Sequence, residues 1–281
     1  MRWQDLGRSG NVEDRRGMSG GGKVAIGGIG VIIVLAIGLL TGQDPAVILG
    51  NLQGTETQQV ENRPAGPRPD DKTADFVSAV LWSTEAVWSD IYVANDAQYE
   101  KPTLQIFEDA TQSACGGASS AMGPFYCPGD QKVYIDLDFC NELRDKFKAP
   151  GDFAVAYVVA HEVGHHVQNL MGISQQVQEQ RSRLSKEEYN KLSVKLELQA
   201  DFLAGVWANH AQQMSNILEP GDLEAALTAA NAIGDDKLQK EAQGYIVPDA
   251  FTHGSSKQRM YWFKKGFETG DLAQGKYEDI K

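Results

Sequence analysis

The residues whose types and spacing point most clearly to chemistry are His161, Glu162 and His165, in the run HEVGH. Histidines four residues apart lie on one face of a helix, so both imidazoles can reach the same tetrahedral ion. The glutamate between them then lies beside the ion, where it can act as general base toward a water molecule. The spacing therefore predicts a zinc-dependent hydrolase site, and the surrounding sequence has to supply the remaining parts.

A catalytic zinc site needs a third protein ligand. The arrangement HExxHxxGxxH is excluded, because Gln168 and Met171 stand where glycine and histidine would be required. The other solution takes a glutamate from a second helix, with an aspartate one turn later that supports a ligand histidine. Glu197 and Asp201 have this spacing in a stretch that is apolar nearly all round, where a buried carboxylate needs a partner. The weaker alternatives lie in a more polar stretch and are Glu179, Glu187 and Glu188.

The segment THGSSKQR offers a donor to the oxyanion that forms when water attacks a carbonyl. His253 opens a turn that precedes a predicted helix, and Arg259 on that helix can hold a site carboxylate or bind substrate. A histidine in a surface loop is the alternative interpretation of His253. His210 and His166 are weaker candidates, and His166 faces away from the ligand pair by about 100° of helical rotation.

Two predicted helices must position these residues. The first covers residues 152–171, with Asp152 as N-cap and Gly172 as the stop, and its apolar residues recur at helical spacing. The second begins at a capping box opened by Ser185 and runs to about Met214. The alternative to a metal helix is a buried helix whose histidines only satisfy hydrogen bonds in a core.

Residues 73–281 are numerous enough for one substantial core. They open with an amphipathic helix, continue through strands near Leu104–Phe107 and Val133–Leu137, and are helical after Asp152. This order predicts an α+β fold, mostly helical, with a small sheet before the metal helix. We predict that the Val133–Leu137 strand borders the cleft and holds an extended peptide by backbone hydrogen bonds.

The chain has three cysteines. Cys115 and Cys127 flank a loop rich in glycine and are well placed for a disulfide in an oxidising compartment. Cys140 follows a strand and is predicted to be a buried thiol. A cysteine-based zinc or redox site is not indicated, since the sequence has no CxxC pair. A catalytic dyad of Cys140 with His161 is rejected, because the histidine is better explained as a ligand.

The sequence before the domain predicts attachment to a lipid bilayer. Residues 24–42 form an apolar run close to the roughly 30 Å needed for one transmembrane helix. Basic residues precede the run and residues 43–62 carry none, which predicts a cytoplasmic segment 1–23 and a translocated domain. Residues 43–72 contain several prolines and are predicted to be a flexible linker. A cleaved signal peptide is the alternative. The basic residues are Arg2, Arg8, Arg15, Arg16 and Lys23.

The net charge of the whole chain is −12 at pH 7. An acidic surface repels phosphate backbones, so the composition argues against a nucleic-acid partner. The sequence does not indicate an oligomeric state.

In six blocks in order, the sequence resembles the bacterial putative neutral zinc metallopeptidase family. The blocks are MRW with NVEDRRG, ACG, GPFYCP, HEVGHHVQ, ELQAD and THGSSKQR. The resemblance implies a zincin-like domain that hydrolyses peptide bonds with one zinc ion. It also implies His161, His165 and Glu197 as ligands, Glu162 as general base and Asp201 as the support of a ligand.

A more distant similarity is to the membrane-associated gluzincins, whose H-x5-R pattern matches His253 and Arg259. The expected function is therefore a zinc metallopeptidase anchored in a bacterial inner membrane, with its domain in the periplasm or outside the cell and a peptide or protein as substrate. Two alternatives stay open. One is a membrane-tethered binding or assembly protein with a structural zinc, for which no fourth ligand is evident. The other is a metallohydrolase that acts on a cell-wall amide.

Overall fold

The computed structural model describes residues 1–17, 72–145, 147–149 and 151–280. Its strands are β1 (Val12–Asp14), β2 (Thr103–Phe107), β3 (Ala110–Ser113), β4 (Gly116–Ser119), β5 (Phe125–Cys127) and β6 (Lys132–Asp136). Its α-helices are α1 (Lys72–Ala94), α2 (Asp138–Asp145), α3 (Asp152–Leu170), α4 (Ile173–Gln180), α5 (Lys186–Ser215), α6 (Asp222–Ala232), α7 (Asp235–Gln243) and α8 (Ser256–Thr269). The described chain is mostly helical with a small sheet, as an α+β fold requires.

The main sheet has four strands in the order β1-β2-β6-β5. β1, β2 and β6 run parallel, and β5 is antiparallel to β6. Leu104 of β2 lies opposite Val12 on one side and Val133 on the other. β3 and β4 form a separate antiparallel pair. The two strands predicted from apolar alternation, β2 and β6, are thus the inner pair of the sheet.

The strand beside the cleft is β5, so the prediction that the Val133–Leu137 strand borders it is wrong. β6 has hydrogen-bonded neighbours on both sides, β2 and β5, and its backbone has no edge to offer a peptide. Phe125 and Tyr126 of β5 line the large cavity of the domain, whereas no residue of β6 does. The sequence did not indicate β5, because three residues are too few to show alternation.

The core surrounds α3, which is buried along most of its length and packs against α1, α5 and α6. The helix begins at Asp152, but its N-cap is Gly151 rather than Asp152. It ends before Gly172, whose left-handed backbone (φ 74°) suits glycine and turns the chain into α4. α5 has the capping box that the sequence predicted, formed by Ser185 and Glu188.

Two close approaches of helices depend on glycine. A Cβ on Gly164 of α3 would lie 3.0 Å from the backbone oxygen of Ala200 in α5. A Cβ on Gly266 of α8 would lie 2.0 Å from the backbone oxygen of Phe202, also in α5. Because both contacts are to backbone atoms, no side-chain rotation can relieve them. The helices that carry the candidate site residues are therefore packed backbone to backbone.

Residues 1–15 belong to the same folded unit as the domain, whereas the sequence predicted a separate segment 1–23. β1 is an edge strand of the sheet, and the backbone N–H of Arg2 donates to the carbonyl of Ile217 beyond α5. A short strand of mixed polarity gives no periodic signal, so the basic residues around it dominated the sequence prediction. The domain boundary predicted at residue 73 therefore leaves out one strand.

The transmembrane prediction for residues 24–42 falls outside the described residues, as does the linker prediction apart from Lys72. Among the described helices, none combines the length and the hydropathy that crossing a bilayer requires.

Candidate metal centre

Three of the site residues lie on α3. His161 and Glu162 are buried and His165 is half-buried, because the helix presents them inside the core rather than to solvent. The rings of His161 and His165 lie 4.8 Å apart, centroid to centroid, and are nearly perpendicular. The four-residue spacing thus brings the two imidazoles together, as the sequence predicted.

Glu197 of α5 completes a group of three. Its Oε2 lies 3.2 Å from Nε2 of His161, and its Oε1 lies 3.5 Å from Nε2 of His165. One ligand atom from each residue lies within 4.8 Å of the others. Gly164 faces α5 between the two histidines, and its lack of a side chain lets the glutamate come this close.

Nδ1 of His161 points away from this group, to Oδ1 of Asp201 at 2.8 Å. Arg259 donates to both carboxylate oxygens of Asp201, and the hydroxyl of Tyr157 donates to Oδ1. Burial acts to raise the pKa of Asp201, but Arg259 and His161 outweigh it and lower the pKa to about 2. A carboxylate that stays ionised accepts the Nδ1 proton and leaves Nε2 of His161 for a metal.

His165 is held by a different group. Its Nδ1 lies 2.9 Å from Oε1 of Gln168, which is fully buried. The amide nitrogen of Gln168 donates to the carbonyl of Leu196 and to Oε1 of Gln199. Because the amide group is fixed by these two bonds, its oxygen faces His165 and accepts the Nδ1 proton. Both histidines therefore present Nε2 to the same point.

The pKa values of His161, Glu197 and Glu162 depend on one another, because the three groups are buried side by side. Burial acts to lower the pKa of His161, but the carboxylates of Asp201 and Glu197 raise it to about 10. Burial likewise acts to raise the pKa of Glu197, and the two imidazoles hold it well below its ordinary value. Burial raises the pKa of Glu162, against the effect of the neighbouring histidines. A buried carboxyl with a raised pKa is suited to accept a proton near neutral pH.

These donors fit zinc. Two imidazole nitrogens and one carboxylate oxygen converge, and each imidazole has its second nitrogen hydrogen-bonded, as is usual for metal-bound histidine. The same three residues form the cluster of metal-ligating side chains found among the described residues. A site with three protein ligands leaves a coordination position open, which is the difference between a catalytic and a structural zinc.

His253 lies in the loop before α8 and lines the same cavity as Glu162. Asp235, the first residue of α7, accepts hydrogen bonds from the backbone N–H of Thr252, His253 and Gly254. Its other oxygen lies 3.2 Å from Nδ1 of His253. The hydrogen bond to Asp235 raises the pKa of His253, against burial, which lowers it. Nε2 is then the ring nitrogen left for a substrate.

The cavity beside the candidate metal ligands has a volume of about 700 Å³. Its walls come from β5, from the loop before it, and from α2, α3, α5 and α8. Much of the surface is apolar, and two of its residues, Met122 and Leu238, are exposed at 65% and 36%. The larger apolar residues in the walls are Phe125, Phe139, Phe147, Val158, Leu196 and Ile233. The site is thus a cleft with a charged base and apolar walls.

The predicted disulfide is confirmed between Cys115 and Cys127, and it ties the end of β5 to the β3–β4 turn. Cys140 is half-buried on α2 and outside the disulfide. His166, also on α3, has its two ring nitrogens hydrogen-bonded to the hydroxyl of Tyr126 and the carbonyl of Glu100 instead of joining the metal group. His210 bonds the carbonyl of Gly270, away from the cavity.

The weaker ligand candidates are not near the metal group. Glu188 is occupied by the capping box of α5, and Glu179 bonds to Gln175 on α4. Glu187 is exposed in the first turn of α5.

Sequence reasoning missed three residues of the site. Tyr157 is four residues before His161 on the same helix face, a spacing that indicates a place beside the site. Its apolar neighbours on the helix indicate only a core position. Gln168 was used to exclude a histidine ligand, although a polar side chain three residues after His165 can reach its Nδ1. Asp235 gives no local signal, because it meets His253 only through the fold.

An α+β domain with two imidazoles and one carboxylate arranged in this way has the ligand set typical of a zinc metallopeptidase. The family model described as "Putative neutral zinc metallopeptidase" matches residues 1–277, and the chain belongs to that family. It is 47% identical over 281 residues to Uncharacterized protein YpfJ of Escherichia coli (strain K12), which covers 98% of this chain and 97% of that protein. It is 42% identical over 199 residues to Uncharacterized protein Rv2575 of Mycobacterium tuberculosis, covering 67% and 65% of the two chains. No solved structure matches the chain.

Proposed function

We propose that this protein is a zinc-dependent metallopeptidase with one catalytic ion. The observation that carries the proposal is the convergence of Nε2 of His161, Nε2 of His165 and a Glu197 oxygen beside Glu162, at the base of an open cleft. A structural zinc would be closed by a fourth ligand, whereas the cleft leads to this group. The geometry therefore favours catalysis over a purely structural metal.

In this proposal each residue has a separate role. Zinc held by the three ligands would supply a Lewis acid that activates water and polarises a carbonyl. Glu162 accepts the proton of the attacking water and delivers it to the leaving amine. His253, fixed through Nδ1 by Asp235, donates from Nε2 to the developing oxyanion. Asp201 and Gln168 hold the two ligand imidazoles.

The substrate proposed for the cleft is an extended peptide or protein segment. β5 is the edge strand on the cleft side of the sheet, and its free edge can add the peptide as a further strand. The apolar walls, including Phe139 and Val158, favour an aliphatic or aromatic side chain next to the cleaved bond. Association of residues 24–42 with a bacterial inner membrane is part of the proposal and rests on the apolar sequence of that run, without the single crossing that the basic residues predict.

The test is hydrolysis of a broad peptide library by the full chain, loaded with zinc, stripped with a chelator, and reloaded with zinc. The library should include cell-wall peptides beside ordinary ones. The proposal expects cleavage that is lost on chelation and restored by zinc, preferentially beside apolar residues. Cleavage that survives complete removal of zinc would contradict a metal mechanism. Stoichiometric zinc without cleavage of any peptide would contradict a peptidase and favour a binding role.

A further inference from the structure

We propose that residues 1–15 and the domain of residues 72–280 fold together in one compartment, so that both lie on the same side of any membrane. This inference is independent of the proposed function. It replaces the expectation that residues 1–23 are cytoplasmic while the domain is exported.

The first observation is that β1 completes the sheet. Val12, Glu13 and Asp14 pair in parallel with Leu104, Gln105 and Ile106. The backbone N–H of Leu104 donates to the carbonyl of Asn11, and that of Arg15 donates to the carbonyl of Ile106. These bonds cannot form unless β1 and β2 are in the same compartment. A domain without β1 would expose the backbone edge of β2.

The second observation concerns Glu85, a carboxylate on α1 that is only 3% exposed. Its Oε1 accepts hydrogen bonds from the hydroxyl of Ser9 and the side-chain amide of Asn11, both at 2.7 Å. Lys101 lies at 3.5 Å from its other oxygen. Removing residues 1–15 would leave this buried carboxylate without two of its partners, which is strongly unfavourable.

The third observation is that two basic residues of the segment, Arg2 and Arg8, have structural partners in the domain. Arg2 donates to the carbonyls of Asn216 and Leu218. Arg8 forms a paired contact with Asp75 at the start of α1. These charges predicted a cytoplasmic orientation from sequence, but the fold explains them as contacts of the domain itself.

The segment also reaches the element that carries the site. The indole N–H of Trp3 donates to Oδ2 of Asp152, the first residue of the metal helix α3, at 2.9 Å. The ring of Trp3 packs edge-on against Phe76 of α1. Residues 1–15 thus connect the start of α3 to α1 and to the sheet. Membership of the domain, rather than a separate cytoplasmic tail, accounts for all of these contacts.

The experiment places one new cysteine on each side of residues 18–71 in the full chain. Gly10→Cys lies in the segment, where no atom lies within 4 Å of an added Cβ, and Glu241→Cys lies on an exposed surface of α7. Each variant is expressed in bacteria, and spheroplasts are treated with a membrane-impermeant maleimide before and after lysis. The parent chain, with Cys140 outside the disulfide, gives the background.

The inference expects the two new cysteines to behave alike, either both labelled in intact spheroplasts or both labelled only after lysis. Labelling of Glu241→Cys in intact spheroplasts with Gly10→Cys protected until lysis would overturn it, since that pattern means one crossing between the two segments. The reverse pattern would overturn it equally. Peptidase activity does not enter this measurement, so its outcome stands whether or not the proposed function holds.

Discussion

At the scale of single residues, the two candidate ligand histidines differ in what holds them. Nδ1 of His161 faces the carboxylate of Asp201, which Arg259 keeps ionised, whereas Nδ1 of His165 faces the neutral amide of Gln168. A carboxylate partner makes an imidazole a stronger ligand than an amide partner does. We therefore expect His161 to hold zinc more firmly than His165.

Gln168→Leu should weaken zinc binding about 10–100-fold, because such partners of ligand histidines have effects of that size. The substitution removes the acceptor for Nδ1 of His165 and the two bonds that fix the amide. Zinc affinity is measured by competition with a chromophoric chelator. The matched control is Gln178→Leu, at an exposed position of α4. Equal affinity in both variants and the parent would contradict the assigned role.

Asp235→Asn should shift the alkaline limb of the activity profile to lower pH. Asp235 raises the pKa of His253, so the protonated imidazole that donates to the oxyanion is present below that pKa and lost as pH rises through it. Without the carboxylate the pKa falls, and the loss begins earlier. kcat/KM is measured against pH, with Asp236→Asn as control, since Asp236 bonds Ser256 instead. An unchanged alkaline limb would show that the protonated imidazole of His253 does not take part in the reaction.

How much of the site can be predicted from the sequence depends on how far apart its residues lie along the chain. His161, Glu162 and His165 follow from helical spacing, and Glu197 with Asp201 from an acidic pair in an apolar stretch. The contact of Asp235 with His253 joins residues 18 apart, with the rest of α7 and a loop between them, and it has no periodic signal. The spacing of donors on one helix is local information, whereas the groups that orient them come from packing.

At the scale of elements, helix packing through glycine sets the distance between the metal helix and its third ligand. Gly164 separates the two histidines and faces Ala200, and Gly266 lets α8 approach α5 at Phe202. Both positions keep Glu197, Asp201 and the helix of Arg259 close enough to meet. The sequence shows glycines there but not what they face, because that depends on the neighbouring helix.

Gly266→Ala should lower the free energy of unfolding by about 1–3 kcal/mol or more, as overpacking of a core does. The added methyl group would lie 2.0 Å from a backbone oxygen and would push α8 away from α5. Thermal or denaturant unfolding measures the loss. Gly10→Ala is the control, because nothing lies within 4 Å of its Cβ. A stability equal to that of the control would contradict the backbone contact.

The double substitution Cys115→Ala with Cys127→Ala should cost about 2–4 kcal/mol of stability, the usual range for a disulfide. It should also reduce kcat/KM, because the disulfide fixes the end of β5, a wall of the cleft. Cys140→Ala is the matched control, since it removes a thiol outside the disulfide. Full activity in the double variant would show that substrate binding does not depend on the position of β5.

The secondary structure was predictable where elements are long or regularly patterned. α3, α5 and the inner strands β2 and β6 follow from apolar periodicity and capping residues. β1 and β5 are three residues each and show no period, so the sequence left both out. Those two short edge strands nevertheless decide where a peptide can bind and where the N-terminal residues lie.

At the scale of the whole molecule, the fold brings residues 1–15 into one unit with the domain that begins near residue 72. Composition and the basic residues predicted a segment separated from its domain, because charge near an apolar run is a topology signal in many membrane proteins. In the fold, Arg2 and Arg8 bond to residues of the domain. The pattern of charge could not show this, since the partners lie more than 60 residues away.

Exchanging the charges of Glu13 and Lys132 in the purified full chain tests whether β1 is part of the main sheet. Lys132 contacts both oxygens of Glu13 at 2.9 Å across the sheet. Glu13→Lys and Lys132→Glu should each lower the thermal midpoint, and the double variant should recover most of the loss because the pair is restored in reverse. Losses that simply add in the double variant would mean that Glu13 of β1 does not reach Lys132 of β6 across β2.

The measurement that tests the central claim most directly compares the parent with Glu162→Gln for zinc content and peptide hydrolysis in the same preparations. Glu162 belongs to the cleft but not to the three-atom ligand group, so the variant should bind one zinc as the parent does. Its kcat should fall by about 100-fold or more, since general base catalysis contributes at least that much. Full activity in the zinc-loaded variant would contradict the account.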